Sequence, residues 1–212
     1  MPNKFSTVII GITGESGVGK SGAAKILESL LPNAYYIHCD DYFLDYCIRF
    51  PNKIEKIIGE PVNASNMFVS IEKMGQKLTA ESFKEFYTAI FSYANLKIAE
   101  DVELAISKFN PRFVIVEHMA LPALNIWNSL NYKLLLETNN QELRLELLRK
   151  RVFLPANKKI AETRSFAIRE YIDGVSENVH HTVTHSYGEG FDDEIKNVAV
   201  QIMEIFDYQK KI

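Results

Sequence analysis

The residues best suited to chemistry lie near the start of the chain, where eight positions match the pattern G-x-x-x-x-G-K-[ST]. They are Gly14, Glu15, Ser16, Gly17, Val18, Gly19, Lys20 and Ser21. Glycines let a backbone curl around phosphate oxygens, and the following helix directs the positive end of its dipole at the same anion. Lys20 adds a mobile positive charge, and the Ser21 hydroxyl can ligate magnesium. These eight residues are therefore predicted to bind nucleotide phosphates, with Lys20 also catalytic and Ser21 also a metal ligand.

A pair of aspartates follows the loop at a distance that suits an acceptor site. Asp40 stands twenty positions after Lys20, at the end of a predicted strand. A carboxylate there can orient an acceptor hydroxyl and take its proton, so Asp40 is the predicted catalytic base. The alternative interpretation is a helix N-cap, a role that Asp41 can also fill.

The elements that must position these residues alternate between strands and helices. The β-branched run at 7–12 predicts a strand buried on both faces. Further strands are predicted at 34–39, 112–117, 132–137 and 182–184. Helices are predicted at 21–31, across most of 64–108, and at 141–151, 162–178 and 193–208. This alternation predicts an α/β protein with a parallel, doubly wound sheet that binds its ligands at the carboxyl ends of the strands.

The stretch from about 49 to 108 is predicted to form a helical acceptor-binding region, and it matches no substrate motif. Its helical spacing predicts a set of core contacts: Leu78, Phe83, Phe86, Ile90, Phe91, Leu96 and Ile98.

Composition narrows the class of protein. The chain has 212 residues, 47% of them hydrophobic, which predicts a single domain over 1–212 and argues against disorder. A formal charge of −3 offers no broad field for nucleic acid or anionic membrane, and no apolar run is long enough for a membrane span. Cys39 and Cys47 suit a reducing compartment, so a cytoplasmic location is expected. Monomer and small homo-oligomer both remain open.

The opening of the chain resembles the P-loop small-molecule kinases of the uridine kinase and nicotinamide riboside kinase type. The resemblance covers Ile9 to Gly14, the loop, Leu31-Pro32-Asn33 and Asp40-Asp41-Tyr42-Phe43. It implies a three-layer P-loop NTPase fold with a central parallel sheet and a helical lid. It also implies ATP and Mg²⁺ as cofactors, a small-molecule substrate of nucleoside type, and Asp40 as the base.

The same resemblance extends to residues later in the chain. Glu117 ends a strand like the one that, in the family, carries an acidic residue near magnesium, although a merely solvated strand end is the alternative. Arg144 and Arg149 lie on the helix that leads into the lid, expected at about 149–170, and are predicted catalytic residues. Their alternative is a solvated helix face paired with Glu142 and Glu146.

Two other functions stay open at this point. The segment Val183 to Gly188 is similar to the final strand and loop of dephospho-coenzyme A kinase, which makes that activity an alternative. His118 stands where the family normally has glycine, and the uridine-type Asp-His-Pro segment is missing near Gly59 to Asn63. A non-catalytic nucleotide-binding protein is therefore the second alternative.

Overall fold

The centre of the molecule is a five-stranded parallel sheet with the strand order β2-β3-β1-β4-β5. The computed structural model describes residues 6–39, 41–149, 175–188 and 190–208. The strands are β1 (Val8–Thr13), β2 (Ala34–His38), β3 (Phe113–Glu117), β4 (Tyr132–Thr138) and β5 (His181–His185). All five predicted strands are confirmed, with ends that differ by one or two residues.

Helices cover both faces of this sheet and make three layers. In the described part of the chain the α-helices are α1 (Lys20–Leu30), α2 (Asp41–Arg49), α3 (Pro51–Ile58), α4 (Met67–Lys77), α5 (Ala80–Phe109), α6 (Gln141–Arg149) and α7 (Phe191–Tyr208). Short 3-10 helices lie at Leu121–Ala123, Asn125–Ser129 and Val175–Asn178. One core cluster packs α1 and α7 against one face of the sheet. A second core cluster packs the four helices from α2 through α5 against the other face. The interior strand β3, between β2 and β1, is buried along its whole length, as a strand covered on both faces must be.

The long helix α5 confirms most of the predicted core contacts and corrects one. Phe86, Ile90, Phe91 and Ile98 are buried on it, and Leu78 is buried just before it. Leu96 was predicted to be buried but is 64% exposed. A helix turns roughly 100° per residue, so Leu96 points away from the face that buries Ala94 and Ile98. The side chain of Phe83 lies outside the described part of the structure.

Several predictions fall on residues that the structure does not describe. Asp40 and most of the lid expected at about 149–170 are among them, as is the helix predicted from 162, except for its end at 175–178. The single-domain organisation over 1–212 likewise stays a prediction. Within the described ranges, none of the helices is apolar over a length that would cross a lipid bilayer.

Candidate active site

The phosphate-binding loop joins the end of β1 to the start of α1. Gly14, Gly17 and Gly19 have backbone φ angles of 141°, 89° and 90°, which residues other than glycine rarely adopt. A Cβ atom on Gly14 would lie 2.2 Å from the carbonyl oxygen of Leu136 on β4. Glycine is therefore required at position 14 both for its backbone conformation and for the close approach of β4.

Side chains from distant elements hold the carbonyl groups of the loop. Three consecutive carbonyl oxygens each pair with such a side chain: Ser16 with Arg144 Nη1 at 3.0 Å, Gly17 with the Tyr187 hydroxyl at 2.7 Å, and Val18 with His185 Nε2 at 2.8 Å. In a trans peptide the C=O and the next N–H point in opposite directions. The amides of Gly17 and Gly19 are thus turned away from these side chains, as an anion-binding loop at a helix N-terminus requires.

The tautomer of His185 follows from its two hydrogen-bond partners. The backbone N–H of Tyr187 donates to His185 Nδ1 at 3.2 Å, so Nδ1 accepts. Nε2 then carries the hydrogen that is donated to the Val18 oxygen at 2.8 Å. Sequence reasoning noted this segment only as a similarity and gave neither His185 nor Tyr187 a role in the site.

Lys20 lies where the motif predicts it, at the first position of α1. Its Nζ donates to the carbonyl oxygens of Gly14 and Glu15, both at 3.0 Å, and the side chain is 8% exposed. It lines a cavity of about 310 Å³ together with Ser21, Glu117, Met119 and Leu147. The cation is therefore held beside the space that a phosphate group would enter.

Arg144 is positioned by the start of α6, where Asn140 Oδ1 accepts the backbone N–H of Leu143 as a helix cap. The side chain is 2% exposed, so the alternative of a solvated helix face is wrong for Arg144. Its Nε contacts the Glu15 carboxylate at 3.3 Å, and its Nη1 donates to the Ser16 oxygen. The structure thus places Arg144 against the backbone of the loop. The side chain of Arg149 is outside the described residues.

Glu117 lies at the centre of a buried hydrogen-bond network. Its Oε1 accepts from the Ser21 hydroxyl and from the Tyr36 hydroxyl, both at 2.9 Å. The residue is 2% exposed, so the alternative of a solvated strand end is wrong. Sequence reasoning missed Tyr36, although alternation along β2 places it on the same face as Ala34 and His38.

Burial, above all, raises the pKa of the Tyr36 phenol well above its ordinary value of 10.0, and the adjacent Glu117 carboxylate raises it further. Tyr36 therefore keeps its proton at neutral pH and acts as the donor to Glu117.

Three solved structures share this architecture. The chain matches TT1252 from Thermus thermophilus with a TM-score of 0.62 and 19% identity, covering 92% of this chain and 97% of that one. It matches a dephospho-CoA kinase from Campylobacter jejuni with a TM-score of 0.52 and 16% identity, covering 92% and 95%. It matches a shikimate kinase from Bacteroides thetaiotaomicron with a TM-score of 0.52 and 14% identity, covering 95% and 99%.

This protein has the P-loop NTPase fold. No protein-family model and no curated protein sequence matches the chain. Identities below 20% show the fold alone, so the resemblance to the uridine kinase and nicotinamide riboside kinase type stays a prediction.

Within the P-loop NTPase fold, the residues around Glu117 fit a magnesium ion. Mg²⁺ prefers oxygen ligands and keeps several waters, so a protein site for it needs only one or two side chains beside the nucleotide phosphates. Ser21 and Glu117 offer a hydroxyl and a carboxylate 2.9 Å apart at one cavity. No cluster of three or more His, Cys, Asp or Glu residues occurs in the part of the chain that the structure describes. The donor set therefore suits a hydrated Mg²⁺ bound with its nucleotide.

The sequence also singles out Asp40 and His118. Asp40, the predicted base, lies outside the described residues. His118 follows Glu117 and is 6% exposed, with its ring 5.6 Å from Phe91 in an edge-on contact. Its Nδ1 accepts the backbone N–H of Ala120 at 3.1 Å, so this histidine is packed and hydrogen-bonded.

Proposed function

We propose that the protein is an ATP-dependent kinase that transfers a γ-phosphoryl group to a hydroxyl group of a small molecule. The observation that carries this proposal is the convergence of Lys20, Ser21 and Glu117 on one cavity beside the loop. A cation, a hydroxyl and a carboxylate are the groups that hold the terminal phosphates and the metal in P-loop phosphoryl transfer. The names of two of the matched structures, a dephospho-CoA kinase and a shikimate kinase, support the same class of reaction.

The proposed roles of Lys20, Ser21 and Glu117 are supported by their positions at the cavity, and the role of Asp40 by the sequence. The loop amides and Lys20 bind the phosphates. Ser21 and Glu117 would hold Mg²⁺, which when bound would neutralise negative charge on the nucleotide phosphates. The acceptor oxygen bonds to the γ-phosphorus as the bond from that phosphorus to the bridging oxygen of ADP breaks. Asp40 takes the proton of the acceptor hydroxyl.

Arg149 and Arg144 are proposed to assist phosphoryl transfer in different ways, the first directly and the second through the loop. Arg149 ends α6 and enters the predicted lid, from which its guanidinium contacts the transferred phosphoryl group. Arg144 acts through the loop, because its contacts run to Glu15 and Ser16.

A nucleoside-type acceptor, such as uridine or nicotinamide riboside, is the first candidate because the opening of the chain resembles kinases of that type. Dephospho-coenzyme A is the second candidate, supported by the segment Val183 to Gly188 and by the name of one matched structure. The partner is thus a small molecule rather than nucleic acid or membrane, in line with a net charge of −3. The protein is proposed to act in the cytoplasm as a monomer or a small homo-oligomer.

The decisive experiment is an acceptor panel with ATP and Mg²⁺. The panel contains uridine, cytidine, nicotinamide riboside, pantothenate, dephospho-coenzyme A and shikimate, with ADP release and the mass of the product as readouts. We expect one acceptor to gain a phosphate. Asp40→Asn should lower kcat on that acceptor by about 100-fold or more while retaining ATP binding. Asp192→Asn, at an exposed carboxylate on α7, is the matched control and should leave kcat unchanged.

Two outcomes would contradict parts of this proposal. ATP binding without phosphorylation of any acceptor would favour the alternative of a non-catalytic nucleotide-binding protein. A near-normal kcat for Asp40→Asn would show that another group accepts the proton.

A further inference from the structure

The carboxylate of Glu117 is held by two hydroxyl groups that come from different elements. Ser21 on α1 and Tyr36 on β2 both donate to the same oxygen, Oε1, at 2.9 Å. Glu117 and Tyr36 are 2% and 7% exposed. A carboxylate removed from water in this way depends on such hydrogen bonds to satisfy its oxygens and to fix its orientation.

The register of the sheet explains how Tyr36 reaches Glu117. His38 on β2 is the direct partner of Glu117 on β3, and Tyr36 lies two residues earlier on the same face. Neighbouring strands are about 4.8 Å apart and two residues along a strand span about 6.6 Å, so this diagonal is roughly 8 Å. A tyrosine side chain is long enough to cross most of that distance, and its hydroxyl arrives at the carboxylate.

Other contacts fix the position of Tyr36 itself. Its backbone N–H donates to the carboxylate of Glu28 at 3.1 Å. Glu28 thus pairs with a backbone group of β2, the strand at the edge of the sheet. The ring of His38 lies 4.0 Å from the Tyr36 ring, measured between centroids. The phenol is therefore held from its backbone and from its ring, so that its hydroxyl stays aimed at Glu117.

The two donors to Glu117 have different parts in the proposed function. Ser21 is itself a predicted metal ligand and lines the cavity, so its hydroxyl would serve both the carboxylate and a bound metal. Tyr36 approaches Glu117 from β2 and is not one of the residues that line the cavity, so its hydroxyl holds the carboxylate from the side away from the cavity. Removing a residue that orients a metal ligand typically weakens the binding of the metal by about 10- to 100-fold.

We propose that Tyr36 is a positioning residue for the magnesium site. Its hydroxyl holds Glu117 Oε1 so that the carboxylate faces the metal-bound nucleotide. This inference rests on the proposed function, because it assumes that Glu117 serves Mg²⁺. It assigns Tyr36 no contact with ATP or with the acceptor.

The test measures how much Mg²⁺ strengthens ATP binding, by titration calorimetry with Mg²⁺ and with EDTA. In Tyr36→Phe, we expect the gain in ATP affinity caused by Mg²⁺ to fall by about tenfold, with ATP affinity in EDTA unchanged. Tyr132→Phe is the matched control, since Tyr132 is 1% exposed and lies in the same core cluster as Tyr36. It should keep the full gain. An equal loss of affinity with and without Mg²⁺, or no loss at all, would overturn the proposal.

A double variant tests whether Tyr36 acts on Mg²⁺ binding through Glu117 or through a general folding defect. In a Glu117→Gln background, the further change Tyr36→Phe should alter the Mg²⁺-dependent gain by less than about twofold, because the effect passes through Glu117. A full tenfold loss in that background would contradict the proposal.

Failure of the kinase proposal is separately visible. A wild-type protein that shows the gain with Mg²⁺ but phosphorylates no acceptor contradicts the proposed reaction, while the comparison of Tyr36→Phe with Tyr132→Phe still decides the role of Tyr36. A wild-type protein without any gain would overturn both proposals.

Discussion

At the scale of single residues, hydrogen bonds to the loop hold the ammonium group of Lys20 beside the cavity. It contacts two carbonyl oxygens of the loop at 3.0 Å and is almost fully buried. Burial of a charge is costly unless hydrogen bonds compensate it, and these two carbonyls supply that compensation. A phosphate group entering the cavity would offer the same ammonium a stronger, charged partner.

Lys20→Met keeps most of the side-chain volume and removes the charge. We expect ATP affinity to fall at least tenfold and kcat/KM for the acceptor to fall by about 100-fold or more, as for the loss of one donor to a transition-state oxyanion. Lys25→Met, at an exposed position on the same helix, is the control and should resemble the wild type. Calorimetry with ATP and a coupled ADP-release assay measure the two effects. Equal affinities for the two variants would contradict a phosphate-binding role for Lys20.

At the scale of elements, the loop depends on how closely β4 approaches the end of β1. Gly14 has a φ of 141°, and a Cβ there would meet the backbone of Leu136. Gly188, by contrast, has open space around the position of its Cβ. The two glycines therefore form a matched pair for testing what the loop requires.

Gly14→Ala should lower the free energy of unfolding by about 2–4 kcal/mol, because backbone strain adds to a clash that the sheet cannot relieve. Gly188→Ala should change it by less than about 0.5 kcal/mol. Urea denaturation of both variants checks this. Similar stabilities would show that β4 can move away from the loop.

A second contact between elements links α2 to α5 through Asp45. Its carboxylate accepts hydrogen bonds from the Tyr93 hydroxyl on α5 and from Arg49 Nε, the latter at 3.0 Å. The hydrogen bond from Tyr93, ahead of the one from Arg49, holds the pKa of Asp45 below its ordinary value of 3.8. A lowered carboxyl pKa stabilises the fold above the ordinary value, and this stabilisation is lost as the pH falls through the folded pKa.

Asp45→Asn should therefore reduce the free energy of unfolding by about 0.5–1 kcal/mol at pH 7, a modest value because the Asp45 side chain is 37% exposed. The difference from the wild type should shrink as the pH is lowered below 3.8. Urea denaturation over that pH range measures it. Glu103→Gln, at an exposed carboxylate on α5, is the control. A difference that does not depend on pH would mean that the charge of Asp45 is not involved.

At the scale of the whole molecule, a nucleotide would join elements from both ends of the chain. The loop follows β1, Glu117 ends β3, and the carbonyl groups of the loop are held by side chains from α6, from the end of β5 and from the segment after it. A ligand that binds only this assembled site stabilises the entire folded state by mass action.

ATP with Mg²⁺ at 100 times its dissociation constant should stabilise the protein by about 2.7 kcal/mol and raise Tm by about 5–10 °C. Replacement of Mg²⁺ by EDTA should reduce this increase, since Ser21 and Glu117 then have no cation to bind. Differential scanning fluorimetry measures the shift, and Lys20→Met should show little of it. An increase in Tm that is the same in EDTA would argue against the magnesium site.

The sequence alone determined the loop from 14 to 21, the five strands and the parallel α/β class. These features depend on local patterns: a glycine-rich motif between an apolar run and a helix, and alternating periodicities along the chain. The local pattern also predicted most buried positions of α5. It misassigned Leu96, a hydrophobic residue two positions from both Ala94 and Ile98 and therefore on the opposite side of the helix.

Only the tertiary structure decided which residues surround the loop. Tyr187 and His185 bind loop carbonyls across 170 and 167 positions of the chain, and Tyr36 meets Glu117 across 81. Arg144 turned out to hold the loop backbone, which its place on an arginine-rich helix did not indicate. Such contacts depend on the order and register of the strands, which bring remote segments side by side. Local propensity specifies that a strand forms and which face is apolar, but it does not specify the neighbour beside which the strand will lie.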